Sequence, residues 1–381
     1  MYNRREFLRD CSSATAGIFF VGCGLADSAL GSFQAGSGGK RRQVVVGGRR
    51  VRTVDVHCHV TIPDAWELIQ GDPQAINVQV GQTDPNTPKG PQLDPRNVKN
   101  RLAEMDEQGI DVQAVGINPF WYRTDPDLAR RIIQLQNERI AELCAAYPDR
   151  FVGLATVALQ HPDLAAEQLE EAVKKLGLRG AMIGGSVNGE ELSAPKFHPF
   201  WAKAEELATL VFIHPQGFPD GQRRFQGNGT LGNVIGNPLE TTVALSHLIF
   251  EGTLDRFPGL QICAAHGGGF LASYIGRSDH CVNFNGNFPA NCKPVQKLPS
   301  EYLKQLYFDS IVFTAEGLRH LAAEAGAGQI VLGTDYPYGM GDPAAVDHIL
   351  RTPGLSNAER RAMLGGTAAK LLRIGLQPGK Q

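Results

Sequence analysis

The feature that most limits the fold is an alternation of two periodicities. Eight short apolar runs recur along the chain: VRTVDVH (51–57), IDVQAVGIN (110–118), RFVGLATV (150–157), LRGAMIGG (178–185), ATLVFIHP (208–215), LQICAAH (260–266), LYFDS (306–310) and QIVLGTD (329–335). Each has the length and boundaries of a buried strand. Between them lie stretches with helical spacing: 95–109, with Val98, Leu102 and Met105 on one face; 127–147; 163–177, read as starting at an N-cap aspartate, Asp163, and stopping at Gly177; 197–208; and 243–257. Eight strand–helix repeats predict an α/β fold, a parallel (β/α)8 TIM barrel, rather than an open sheet. A small hairpin with Gly47-Gly48 at its turn precedes the first strand.

On a barrel, residues that follow strand C-termini share one rim, where such enzymes keep their active sites. Strand one ends in His57-Cys58-His59, strand five in His214-Pro215, strand six in His266-Gly267-Gly268-Gly269 and strand eight in Asp335-Tyr336-Pro337. With side chains alternating by two, His57 and His59 share a face, Asp55 is expected beside His57, and Cys58 points away as a packed small residue. Asp55, and Asp309 at the end of strand seven, are candidates to support a ligand. Imidazoles and a carboxylate suit Zn2+, and also Mn2+ or Fe2+, and leave a position open for water or substrate. A histidine that is not a ligand can serve as acid or base. Strand four ends AMIGGS without a lysine that could bridge a second ion, so one metal is expected. The remaining histidines, at 161, 198, 247, 280, 320 and 348, read as structural. Two insertions, 60–96 and 216–238, follow strand C-termini and read as lids or irregular segments over the rim. Phe120, Trp121 and Tyr122 either wall the pocket or pack the loop after strand two.

The net charge is −2 and the body of the chain has no basic stripe, which removes the electrostatic basis for nucleic-acid binding. No apolar run is long enough to span a bilayer. The amino terminus reads differently. NRREFLRD followed by the mild apolar run CSSATAGIFFVGCGLA is the pattern of a twin-arginine export signal, with Ala29-Leu30-Gly31 as a small-residue cleavage site. Residues 1–31 are therefore expected to direct export to the periplasm, with lipidation at Cys23 as the less favoured reading. Residues 32–50 form a linker and the small hairpin, and 51–381 the barrel domain. Of the seven cysteines none forms a Cys-x-x-Cys pair, so a thiolate zinc site is not expected. Cys281 and Cys292 could bridge in an oxidising compartment or remain free.

The segments VDVHCHV, RLAEMDEQGIDVQAV, FIHPQG, CAAHGGGFLASYIGRSDH, PSEYLKQLYFDS and VLGTDYPYG, in this order, resemble the amidohydrolase superfamily. Within it they resemble the group containing aminocarboxymuconate-semialdehyde decarboxylase. The resemblance implies that His57, His59, His214 and Asp335 bind one metal, usually zinc, and that His266 is the catalytic acid/base. It implies that Arg277 reaches across a homodimer interface to a substrate carboxylate. Two departures concern the substrate. The loop after strand one has no arginine before Arg96, and His214-Pro215 is followed by Gln216 where the decarboxylase has an aromatic.

The expected activity is metal-dependent, non-oxidative decarboxylation of a small unsaturated or aromatic carboxylic acid. The alternative is a mononuclear hydrolase of a lactone, ester or amide, with Asp335 or His266 as base. An exported binding protein without catalysis is a third reading, which the complete ligand set disfavours.

Overall fold

The computed structural model describes residues 41–69, 97–227, 229–283 and 295–375. The segment 1–31 expected to act as an export signal, Cys23, the first part of the linker, most of the first insertion, Arg96 and Cys292 lie outside the described residues. Eight parallel strands alternate with helices: β1 (Val54–His59), β2 (Val112–Gly116), β3 (Phe151–Gly153), β4 (Gly180–Gly184), β5 (Leu210–His214), β6 (Gln261–Ala264), β7 (Leu306–Asp309) and β8 (Ile330–Val331). They pair in the orders β1-β2-β3 and β4-β5-β6-β7-β8. Single parallel bridges, Ala155 with Ala181 and Cys58 with Tyr336, join the two groups at both seams. Hydrogen bonds from Val56 N to Leu332 O (2.9 Å) and from His59 N to Tyr336 O (2.7 Å) strengthen the second seam, closing the barrel. A short hairpin, Val45–Val46 with Arg49–Arg50, precedes it.

Pleat alternation divides the core in two. Val112 and Ala114 of β2, Leu210 and Phe212 of β5, and Cys263 and Ala265 of the β6 segment pack together inside the barrel with Val54 and Val56. Their neighbours Val115, Val211, Ile213, Ile262 and Ala264 face the helices. Cys58 joins this outer layer, because the register of β1 against β2 shifts between Asp55 and Cys58. The shift lets Val54 and Val56 face inward and His57 and His59 face inward as well. Asp55 therefore does not share a face with His57, contrary to strict alternation. It bonds outward to Gln113 Nε2 at 2.9 Å and Thr334 Oγ1 at 2.7 Å.

The principal helices are α1 (Val98–Gln108), α2 (Pro126–Ala146), α3 (Pro162–Lys174), α4 (His198–Glu206), α5 (Asn237–Phe250), α6 (Ile275–Asn283), α7 (Ala315–Ala325) and α8 (Ala345–Arg351). Helix α2 has an aspartate cap, Asp125, whose side chain accepts from Asp127 N and Leu128 N. Helix α3 does not: its N-cap is His161, Pro162 takes the first position, and Asp163 falls inside the first turn without capping. The stretch expected as one helix over 243–257 divides at Gly252, which adopts φ 77°; α5 ends at Phe250 and a short helix, Thr253–Arg256, follows. Much of the second insertion is ordered backbone, with a 3-10 turn at Pro219–Arg224 and a wide turn at Gly232–Gly236 that runs into α5. Phe120, Trp121 and Tyr122 are fully buried. Trp121 Nε1 donates to Val157 O (2.9 Å) and Tyr122 Oη accepts from Gly184 N (3.1 Å), so this loop is packed rather than wall-forming.

Candidate metal centre and active site

Inward-facing positions at the C-terminal ends of β1 and β5, with the segment after β8, bring His57, His59, His214 and Asp335 together. One ligand atom from each lies within 4.8 Å of all the others, and all four residues are buried. Asp335 Oδ1 is the hub, at 3.1 Å from His57 Nε2, 2.9 Å from His59 Nε2 and 3.9 Å from His214 Nε2. Its second oxygen faces His266 Nε2 at 3.6 Å. Asp335 and His266 both hold positive φ, 58° and 55°. Such backbone is uncommon outside glycine and clusters where function demands it.

The His57 ring is held from behind. Its Nδ1 lies 2.6 Å from Asp309 Oδ2. Asp309 also accepts from the backbone N–H groups of His266 (2.8 Å), Gly267 (2.8 Å) and Ile311 (3.0 Å). One carboxylate thus fixes the ring of one candidate ligand and the backbone of the candidate acid/base, the arrangement by which outer carboxylates orient metal-binding imidazoles. Gly333 makes room for this contact. A Cβ there would lie 2.9 Å from Asp309 Cβ and 3.0 Å from His57 Cβ. On the other side of β1, Arg101 donates to His59 O and to Gln113 Oε1, both at 2.7 Å, and lies over the Tyr336 ring. The strand carrying both histidines is thereby tied to α1.

Burial alone would lower the His57 imidazole, but the Asp335 charge and the Asp309 hydrogen bond outweigh it and raise it to about 10. His59, for which burial dominates over Asp335, falls to about 4, and burial holds His214 well below its usual value. Burial would raise the Asp335 carboxyl, yet the His57 charge and the surrounding imidazoles keep it well below the carboxylate range. The cluster therefore sets a protonated His57 against the charged Asp335, beside neutral His59 and His214; a divalent cation would take the place of the His57 proton. The buried nitrogens also fit an ion. His57 Nε2, His59 Nδ1 and both ring nitrogens of His214 have no hydrogen-bond partner. Orphaned polar atoms of this kind are costly in a protein interior. Three imidazoles and one carboxylate match a single divalent metal site with an open position.

The geometry gathers five of the six residues singled out in the sequence. Arg277 is the exception: it is exposed on α6 and lines neither cavity at the rim. Among the described residues, two contacts escaped sequence reasoning. Tyr338 lies against the His59 ring, with centroids 4.8 Å apart. Burial raises its phenol, and Asn118 at the end of β2 faces it. Their signal was position alone: Tyr338 is three residues past Asp335, and Asn118 lies at the end of a strand-like run.

Comparison with known proteins agrees with this geometry. The family model described as amidohydrolase matches residues 54–374. The 2-amino-3-carboxymuconate-6-semialdehyde decarboxylase of Dictyostelium discoideum is 33% identical over 282 residues, covering 74% of this chain and 77% of that protein. The crystal structure of 5-carboxyvanillate decarboxylase from Sphingomonas paucimobilis superposes with a TM-score of 0.77 at 26% identity, covering 85% of this chain and 100% of that one. A dihydroxybenzoic acid decarboxylase from Polaromonas sp. JS666, with bound manganese and the inhibitor 2-nitroresorcinol, has a TM-score of 0.72 at 26% identity, covering 85% of this chain and 97% of that one. No helix among the described residues is long and apolar enough to cross a membrane. A closed parallel barrel, a four-residue metal cluster at its C-terminal rim and a match along nearly the whole barrel lead to one assignment: the chain belongs to the amidohydrolase family.

Proposed function

We propose that the protein is a metal-dependent, non-oxidative decarboxylase of a small unsaturated or aromatic carboxylic acid. The observation that carries this reading is the compact site itself: a buried four-residue ligand cluster with His266 Nε2 3.6 Å from Asp335 Oδ2, in a chain one-third identical to a decarboxylase. His57, His59, His214 and Asp335 would hold the ion. Zinc is the ion proposed, since three imidazoles and a carboxylate are its usual donors, and manganese, present in the Polaromonas structure, is the alternative. When bound, the ion supplies positive charge that orients the oxygens of the substrate and draws electron density from the reacting carbon.

The residues of the chain then divide the work. The bond between the substrate carbon and its carboxyl group breaks, its electron pair stays on the carbon, and CO2 leaves. His266 supplies the proton that the carbon takes up, and Asp335 Oδ2 holds the imidazole toward the site. Asp309 keeps His57 and the His266 backbone in register for this step.

The carboxylate-holding role proposed for Arg277 requires a second copy of the chain. Its exposure, and that of Phe270 and Tyr274 on the segment leading into α6, support a homodimer in which Arg277 serves the partner's site. Residues 1–31 are proposed to export the protein to the periplasm, a reading supported by Arg4-Arg5 followed by Phe7-Leu8.

The test follows CO2 and acid together. Metal-loaded protein is incubated with phenolic and muconate-like acids; CO2 release with loss of one carboxylate is expected. Acid production from esters, lactones or amides without CO2 would replace this reading with the hydrolase. His266→Gln should keep its bound metal and lose on the order of 10²- to 10⁴-fold in kcat.

A further inference from the structure

The cavity beside the metal centre is larger and chemically more particular than a single-ring acid needs. It measures about 470 Å3, whereas a cavity of about 150 Å3 suffices for benzene. It adjoins the centre on two sides. His214 runs directly into Pro215 and Gln216, which line it, and Asn118, another lining residue, faces the Tyr338 that lies on the His59 ring.

Six carboxamides line this cavity: Asn118, Gln216, Gln222, Gln226, Asn233 and Asn237. Among its described lining residues none carries a charge. They come from separate segments: the end of β2, the end of β5, the 3-10 turn and the approach to α5. Carboxamide residues therefore border it from several sides, with the Gln216 amide also donating to Pro119 O. Asn118 is 5% exposed, and its Oδ1 is buried without a well-formed hydrogen bond. The Tyr338 phenol faces this side chain, so the amide serves that contact as well as the cavity wall. The same cavity is lined by two half-buried phenyl rings, Phe218 and Phe225. Asn233 and Asn237 also line a second, more apolar cavity of about 420 Å3 that includes His266, Ile311, Val312 and Phe313. The active-site cleft thus has two lobes that meet at the start of α5.

A carboxamide offers one acceptor and two donors without charge. Several of them, converging from different directions beside flat apolar rings, match an appendage with hydroxyls on its edges and C–H groups on its faces. Its described lining residues include no cation of the kind a second carboxylate, a phosphate or a sulfate would require. We propose that the substrate carries, beyond its reacting ring and carboxylate, an uncharged hydroxyl-rich appendage of the glycosyl or polyol type, seated in the carboxamide lobe. This rests on the decarboxylase reading only for placing the carboxylate at the ion; the lobe itself can be tested without turnover.

Calorimetry with the metal-loaded full chain would compare three probes that lack a carboxylate on the ring: phenyl β-glucoside, phenyl β-glucuronide and cyclohexyl phenyl ether. The glucoside should bind at least tenfold more tightly than either of the others. Equal affinities, or preference for the glucuronide or the ether, would overturn the proposal. In the exposed double variant Q222L/Q226L, and separately in N118L, the advantage of the glucoside over the ether should shrink at least fivefold. An undiminished advantage in the double variant would also overturn it. Turnover separates the two readings. Glucoside preference without CO2 release from any aromatic acid would leave the lobe assignment standing and remove the decarboxylase. CO2 release from bare hydroxybenzoates, with no gain in kcat/KM from a glycosyl substituent, would do the reverse.

Discussion

Asp309 contributes no ligand atom to the four-residue cluster, yet four donors converge on its two oxygens. Replacing it tests how far the site depends on support from behind. Asp309→Asn should weaken metal binding about 10- to 100-fold, measured by competition with a chelator, because its amide cannot accept from all four donors. Asp309→Ala should in addition destabilise the fold by roughly 3 kcal/mol or more in urea denaturation, since buried N–H groups lose their acceptor. Gly333→Ala should have a related effect, costing about 1–3 kcal/mol by overpacking and displacing His57. At this scale the sequence pointed to the ligands and to Asp309 as a support, but not to which ligand Asp309 holds. His57, His59, His214 and Asp335 were visible because each ends a strand-like run. The pairing of Asp309 with His57 spans 252 positions and became visible only when the barrel closed.

Helix α5 borders the cleft and carries a buried carboxyl. Gly269, at φ 66°, packs against its first turn so closely that a Cβ would lie 2.1 Å from Pro238 O. One residue of that first turn, Asn237, lines both lobes of the cleft. Glu240, at the end of the same turn, is buried and accepts from Ser186 Oγ at 2.8 Å. Burial, together with Glu191 and Asp220, raises its carboxyl to about 7 against the Ser186 bond. The neutral acid is the form the fold prefers, so the native state holds a proton that the unfolded chain releases above about 4.5. Stability should fall as pH rises from about 5 to 8, by roughly 2–3 kcal/mol if Glu240 acts alone. Glu240→Gln should match the wild type near pH 5 and exceed it near pH 8 in thermal denaturation. A wild-type slope unchanged by the substitution would show that Glu240 does not set it. Element existence was legible from periodicity, whereas terminal chemistry was less so. Asp163 resembled a cap, but Pro162 fixed the start of α3 two residues earlier than that reading and left His161 in the capping position.

For the whole molecule, the ion links segments far apart in sequence, because its candidate ligands sit on β1, β5 and the segment after β8. Removing it should lower Tm by on the order of 5 °C, reversed by zinc or manganese at saturating concentration, as expected for a ligand bound only by the native state. Sedimentation should find a dimer, and Arg277→Ala should raise KM for the carboxylate substrate without lowering metal content. Replacing Arg4 and Arg5 together by lysine should leave the protein in the cytoplasm on fractionation. The barrel was legible because alternating runs constrain topology strongly. The surroundings of Arg277 were not, because its exposure depends on how α6 lies against neighbours that no local pattern specifies.

The register shift within β1 separates two tasks that a regular strand would bind together. Without it, the parity that places Val54 and Val56 in the barrel floor would turn both histidines outward. With it, the floor and the ion-holding end of one strand become independent modules. Floor residues can be re-lettered for volume, as in a repacking library at positions 54 and 56, while the histidine pair keeps its aim. The same sequence held in strict alternation would leave a well-filled barrel with no way to gather its metal.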